Sequence, residues 1–374
     1  MKITSLITRP SLILDKEKAL RNIKRMADKA EKSRVTFRPH FKTHQSAEVG
    51  EYFRARGISA ITVSSVDMAR YFADQGWEDI TVAFSVNLRQ VDDINELAEK
   101  IRLNLLVESS ETVHYLKQNL KFPVDAWIKV DAGYGRTGIP FKESSRVVEL
   151  AKEMEEVNLL GFKGLLTHSG HAYHAHSVDE VKRIYRDTVL KLNTVRNLLI
   201  ENGISGVRLS LGDTPTCSLV ESFEGVDEIR PGNFVFYDVM QLMIGSCSAD
   251  DIAVAVACPV VAKHEERGEM VIYGGAVHFS KEFVSTEDGA GIFGLIVPEE
   301  ESGWGAPIEG DYVSALSQEH GVVKAGPDLL AKTRIGDVLL ILPVHSCLTL
   351  NLLGNLYSTV DADRKVTTLR SCAT

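Results

Sequence analysis

The chain has 374 residues, 44% of them hydrophobic and 25% charged, and its 42 Lys and Arg against 51 Asp and Glu leave a formal charge of −9. These are the proportions of a globular chain, so collagenous, disordered and low-complexity architectures are excluded. A surplus of acid is a poor basis for sequence-independent binding to nucleic acid or to an anionic membrane, and neither partner is expected.

In chain order, a helical stripe comes first, over Lys16–Glu31, with Leu20, Ile23 and Ala27 on one face. Short β-rich runs then alternate with helical spacing. The strand candidates are Val35–Arg38, Ala60–Val63, Ile80–Phe84, Leu103–Val107, Ala126–Val130, Gly164–Thr167, Val207–Leu211 and Ile229–Pro231. Helical segments such as Val66–Gln75, Val91–Lys100, Ser144–Glu156 and Val178–Asn202 lie between them. Strand, helix, strand at roughly 25-residue intervals implies parallel pairing. Eight such units in about 200 residues fit a (β/α)8 barrel, with an open doubly wound sheet as the rival.

The texture changes after residue 250. Residues 253–279 alternate, turn at Glu266-Arg267-Gly268 and alternate again, as a β-hairpin does. Tyr312–Leu316 and Val338–Leu342 read as further strands, and Ser302–Pro307 as a loop. The expected organisation is an α/β barrel over residues 15–250 and a mostly antiparallel β domain formed by 1–14 plus 251–374, with Thr8–Leu14 as the N-terminal strand that joins it.

Five cysteines (Cys217, Cys247, Cys258, Cys347 and Cys372) are odd in number, scattered and without a CxxC pair. They are expected to be reduced. The start lacks a continuous apolar segment, and the longest apolar run, Ile252–Ala262, contains Pro259 and is too short to span a bilayer. A cytoplasmic protein is the expectation.

Barrel enzymes carry their chemistry where strands end. Here those ends read Arg38-Pro-His-Phe-Lys42-Thr-His44, Lys129-Val-Asp131-Ala-Gly133 through Arg136-Thr-Gly138, Thr167-His168 through Tyr173-His174, Leu211-Gly212-Asp213-Thr214, and Arg230-Pro231-Gly232-Asn233. Lys42, closing a core strand beside Arg38, His40 and His44, is placed for a depressed amine pKa and Schiff-base chemistry, with a solvated turn lysine as the alternative. The Gly212–Thr216 and Pro231–Asn233 turns follow the seventh and eighth strands, the usual phosphate position of such barrels. Arg136 reads as a guanidinium directed at a phenolate or carboxylate, with a surface salt bridge as the alternative. Its glycine-rich turn lacks the GxGxxG spacing of a nucleotide loop. In the β domain, His345 and Cys347 face one side if the run is a strand, making half of a zinc site. His168, His171, His174 and His176 look like a second, less regular cluster. Gln318-Glu319-His320-Gly321 could contribute an acid/base pair.

Taken in order, these motifs, with Phe236-Tyr237-Asp238 and Pro343 through Cys347, resemble the D-serine dehydratase and D-threonine aldolase family of pyridoxal-phosphate enzymes, which have the alanine-racemase-like fold. The resemblance covers almost the whole chain and leans to the dehydratase side. It implies a barrel followed by a β domain, usually in a homodimer. It also implies that Lys42 forms the imine with pyridoxal phosphate and that Arg136 meets the phenolic oxygen. Gly212, Asp213, Thr214, Gly232 and Asn233 would hold the phosphate, and His168 and Tyr173 would line the ring. His345 and Cys347 would bind a divalent metal, zinc being favoured by the thiolate and manganese or magnesium being alternatives. Tyr237, Glu319 and His320 are expected near the site, His320 and His168 with catalytic parts. The implied substrate is a small D-β-hydroxy amino acid, converted to a 2-oxo acid and ammonia, or cleaved to glycine and an aldehyde in the aldolase alternative. A racemase and a non-catalytic carrier of the cofactor are the remaining alternatives.

Overall fold

The computed structural model describes residues 3–285, 289–301, 303–354, 356–358 and 365–369; Cys372 and Ser302 fall outside them. Two compact units emerge, one from Lys24–Lys42 with Gly50–Gly232, the other from Met1–Ile23, Thr43–Val49 and Asn233–Thr374. The change of texture at residue 250 thus does not coincide with the division. The first turns of the helix Lys16–Lys32 lie with the β unit: Asn22 Nδ2 donates to the Asp251 carbonyl at 2.7 Å, and Arg21 pairs with Asp250 at 2.9 Å.

The first unit's sheet runs through eight parallel strands, with the short strand Ile139–Pro140 added beside the end of Val124–Asp131. Their order around the sheet is Thr36–Phe37, Glu228–Ile229, Arg208–Leu211, Leu160–Thr167, Val124–Asp131, Arg102–Val107, Asp79–Ser85 and Ala60–Val63. The two ends meet: Phe41 N–H donates to the Thr62 carbonyl at 2.8 Å, and Thr62 N–H to the Pro39 carbonyl at 2.9 Å. This closure decides for the barrel over the open sheet. Ser65, Ser109 and Ser177 accept the backbone N–H of Met68, Thr112 and Glu180, so the intervening helices start at serine N-caps. Gly164, at φ +143°, sits so close to Arg208 that a Cβ would lie 2.0 Å from its carbonyl oxygen.

Inside the barrel a polar network replaces an apolar layer. Arg38 binds Asp79 at 2.6 Å and Glu228 at 2.8 Å, Ser210 donates to Glu228 at 2.7 Å, and Arg230 donates to Ser210 at 2.7 Å. Asp79 and Glu228 open their strands, whereas Arg230 follows its own and donates to the carbonyl of Thr167 at the end of Leu160–Thr167, so the network runs along the barrel from its N-terminal end toward its C-terminal end.

In the second unit, antiparallel strands run Val254–His264, Glu269–Tyr273, His320–Lys324, Tyr312–Leu316, Gly294–Val297 and Val338–Pro343, and the last pairs again with the first. The expected hairpin turns through Glu265–Arg267 with Gly268 at φ +66°. The N-terminal strand begins at Ser11, later than Thr8, and Ser11–Leu14 pairs with Val254–Ala257. Gly303–Trp304 forms a short strand against Glu299–Glu300, where a loop was expected. No helix among the described residues is long and apolar enough to cross a membrane.

Candidate active site

At the C-terminal ends of the barrel strands, His168 follows the strand Leu160–Thr167, and its Nδ1 lies 2.5 Å from the Gly212 carbonyl. Burial, reinforced by the Lys129 and Lys42 ammonium groups, holds this imidazole well below its ordinary pKa. The ring is therefore neutral, donates Nδ1–H to Gly212 and keeps its lone pair on Nε2. Tyr173, on the short helix Gly170–His174, tilts 45° to His168 at 6.1 Å between centroids, and Tyr134 meets the same ring edge-on at 5.8 Å.

Lys42 lies in the turn after the barrel closes, and it is exposed. This corrects the expectation of a desolvated amine flanked by charged neighbours. Arg38 is neutralised by Asp79 and Glu228, and burial pushes the His44 pKa down to about 3. Lys42 does reach the electrostatic surroundings of His168, which places it with the Gly212 turn.

Arg136 is exposed, its Cζ 5.1 Å from the centre of the Tyr134 ring. The glycine-rich turn behind it wraps Asp131, whose carboxylate accepts N–H groups from Gly133, Tyr134 and Gly135 at 2.9 to 3.1 Å. Those donors are occupied internally and are not free for the phosphates of a nucleotide.

The phosphate assignment needs revision in detail. Asp213 is the N-cap of the helix Thr214–Leu219, its two carboxylate oxygens accepting from Thr216 N–H and Oγ1 at 2.7 Å each. Burial raises its pKa to about 7. Its side chain shapes the turn and is not directed at an anion. Thr214 N–H donates to the Tyr173 hydroxyl at 3.2 Å. The side chain of Asn233 turns to Asp238 Oδ2 at 2.6 Å, Ser346 Oγ at 3.1 Å and Cys347 Sγ at 3.7 Å, away from the expected phosphate role. Gly212 does have a steric reason: a Cβ there would sit 2.8 Å from Arg230 Cβ and 2.9 Å from its carbonyl oxygen.

In the β unit, the chain leaves the strand Val338–Pro343 and enters the helix Ser346–Leu353, with His345 at its N-cap. The strand alternation expected for His345 and Cys347 is thus absent, yet the helix entry brings imidazole and thiol into hydrogen-bonding contact. Burial opposes charging of His345, but the bonds to Cys347 and to Glu282 Oε2, 2.5 Å from Nδ1, outweigh it and push its pKa up to about 11. Thr43 Oγ1 lies 3.2 Å from Cys347 Sγ. Three of the four described non-glycine residues with positive φ border this cluster: Gln45 at +46°, Tyr237 at +50° and Ser280 at +77°. Left-handed backbone of this kind concentrates at functional sites. His320, by contrast, is exposed opposite Tyr273, and Glu319 lies 3.7 Å from His278, so the structure does not join this pair to His345 and Cys347.

Lys129 stands in the fifth strand's motif, where the sequence suggests no part for it. It is 6% exposed on the strand Val124–Asp131, and burial beside Arg230 and Arg136 lowers its pKa to about 7. A lysine amid the apolar run Ala126–Val130 was the available signal. Thr43 and Asp238 also stand in motifs singled out above without a part of their own, and Glu282 carries no sequence signal.

Both expected groups can be tested against these residues. The barrel mouth gathers Lys42, Lys129 and Arg136 around a neutral imidazole, over a turn where glycine lets two backbones close up, which fits an anionic ring bearing a phosphate. A thiol beside an imidazole whose Nδ1 is held by a carboxylate fits a divalent metal. Among the described residues no group of three or more His, Cys, Asp or Glu is arranged to hold an ion, so the protein would offer two ligands, and the four-histidine segment makes no such site.

Residues 14–239 match the family model "Alanine racemase, N-terminal domain", and residues 253–359 match "Putative serine dehydratase domain". The chain belongs to the D-serine dehydratase and D-threonine aldolase family. A D-serine dehydratase of Dictyostelium discoideum is 29% identical, covering 97% of this chain and 96% of its own. A D-threo-3-hydroxyaspartate dehydratase of Delftia sp. (strain HT23) is 26% identical over 91% of both. The solved structure of that dehydratase has a TM-score of 0.89 at 24% identity, covering 98% of each chain, and one of its mutants is described in a metal-free form. A D-threonine aldolase from Filomicrobium marinum gives 0.84 at 21% identity, over 99% of this chain and 97% of its own. The family is pyridoxal-phosphate-dependent, and this member is a lyase.

Proposed function

We propose that the enzyme is a metal-assisted dehydratase of small D-β-hydroxy amino acids, D-serine foremost, yielding a 2-oxo acid and ammonia. The observation that carries this reading is the His345–Cys347 pair, with Glu282 fixing the imidazole and Thr43 on the sulfur. Pyridoxal phosphate, when bound, supplies the electron sink for a carbanion at Cα. Lys42 would hold it and, once displaced by substrate, take the α-proton with its freed amine. Arg136 and Lys129 supply positive charge for anionic groups, and His168 presents a neutral face with its proton committed to Gly212. Tyr173 and the cap at Asp213 fix the turn whose backbone, with Gly232, would meet the phosphate. His345 and Cys347 would hold a divalent ion, zinc by the softness of thiolate, whose Lewis acidity serves the departing hydroxyl.

Incubation with D-serine and with D-threonine separates the activities. Pyruvate and ammonia from D-serine, abolished by a chelator and restored by zinc, is the expected result. Glycine and acetaldehyde from D-threonine as the dominant products would replace it with the aldolase reading, L-isomers would indicate a racemase, and no turnover a carrier. Lys42→Ala should abolish the visible absorbance gained on adding pyridoxal phosphate; retained absorbance would reassign the lysine. The proposal extends to a cytoplasmic homodimer, supported by free Cys217, Cys247, Cys258 and Cys347 for the compartment and by the family resemblance for the dimer.

A further inference from the structure

We propose that the Thr43 hydroxyl is a dedicated hydrogen-bond donor to the Cys347 thiolate and sets how strongly that sulfur donates to the divalent ion, an inference that rests on the metal reading above. Thr43 is fully buried, and its Oγ1 stands 3.2 Å from Sγ. A thiolate only accepts, so the hydroxyl must donate. Asn233 Nδ2 approaches the same sulfur at 3.7 Å, with its amide fixed by Asp238 Oδ2 at 2.6 Å. Beside His345, the sulfur is therefore served by two further donors from separate parts of the chain, one immediately following Lys42 and one at the end of the barrel sequence. A buried threonine ordinarily satisfies its hydroxyl on a nearby backbone carbonyl. Directing it at a sulfur 304 positions away is the unusual choice. Each donor draws electron density off the thiolate, which weakens sulfur-to-metal donation and leaves the ion a stronger Lewis acid for its remaining ligands. Thr43 is a positioning and tuning residue; it acts through Cys347.

The test loads the purified full-length protein with cobalt(II) and reads the sulfur-to-cobalt charge-transfer absorption, together with cobalt affinity against a competing chelator. Wild type should show the band, and Cys347→Ala should lose it. Thr43→Val, which keeps the shape and removes the donor, should move the band to lower energy and raise affinity about threefold to tenfold, the scale of one lost hydrogen bond. Thr43→Ser should restore both, and Thr43→Ala serves if the valine variant does not fold. An unmoved band in Thr43→Val and Thr43→Ala would overturn the proposal while leaving the metal site intact. A wild-type protein with no thiolate band would instead overturn the metal reading on which it rests.

Discussion

His168 Nδ1 and the Gly212 carbonyl oxygen are 2.5 Å apart, so the strand that delivers the imidazole and the turn that would cradle a phosphate are tied together by one proton. Only the neutral ring with hydrogen on Nδ1 satisfies that contact while Lys129 and Lys42 repel a second proton. In nitrogen-resolved NMR of the imidazoles, His168 should show the Nδ1–H tautomer and no titration between pH 8 and 5. A midpoint near 6.5 would contradict this environment.

Lys129 offers a pH prediction with a definite sign. Its folded pKa is lowered from 10.5 to about 7, chiefly by burial, so the folded state binds this proton less well than the unfolded chain. Its unfavourable contribution therefore grows as pH falls from 10.5 to 7, by about 1.4 kcal/mol per unit, and is constant below that window. Lys129→Met should stabilise the cofactor-free protein at pH 7 by about 1–3 kcal/mol, less at pH 9.5, in paired urea titrations. A gain that does not depend on pH would mean the amine is hydrated in the folded state. The same variant should bind pyridoxal phosphate more weakly.

Glu282→Gln keeps the size of the side chain and removes the carboxylate that orients His345. Loss of such a partner ordinarily lowers metal affinity by about 10- to 100-fold. Zinc competition with a chromophoric chelator measures it directly, and an unchanged affinity would show that Glu282 does not brace a metal ligand.

Gly212→Ala should cost stability as well as cofactor binding. Its Cβ would meet the Arg230 backbone, which cannot rotate away as a side-chain tip could. A loss of about 2 kcal/mol is expected in denaturant unfolding, within the usual range for strained substitutions. Wild-type stability in the variant would show that the turn yields freely.

Much of the architecture was legible because it depends on local period. Ala60–Val63 was read at its observed limits, and Leu103–Val107 within one residue, since buried parallel strands are short apolar runs punctuated by serine caps and glycines. His345 and Cys347 were legible as a pair by spacing, although the backbone there is a helix entry and not a strand. Spacing in the chain could single out this pair, and Lys42 as an amine at a strand end, because each is a property of a contiguous segment.

Tertiary structure decided the rest, because it depends on which distant segments meet. Barrel closure paired Arg38 with Glu228 and so removed its charge from Lys42. It also set Lys129 beside Arg230 and left Asp213 capping a helix where a phosphate ligand was expected. Glu282 reaches His345 across 63 positions, and Thr43 reaches Cys347 across 304. Such meetings are fixed by strand register and chain return, and no local period encodes them.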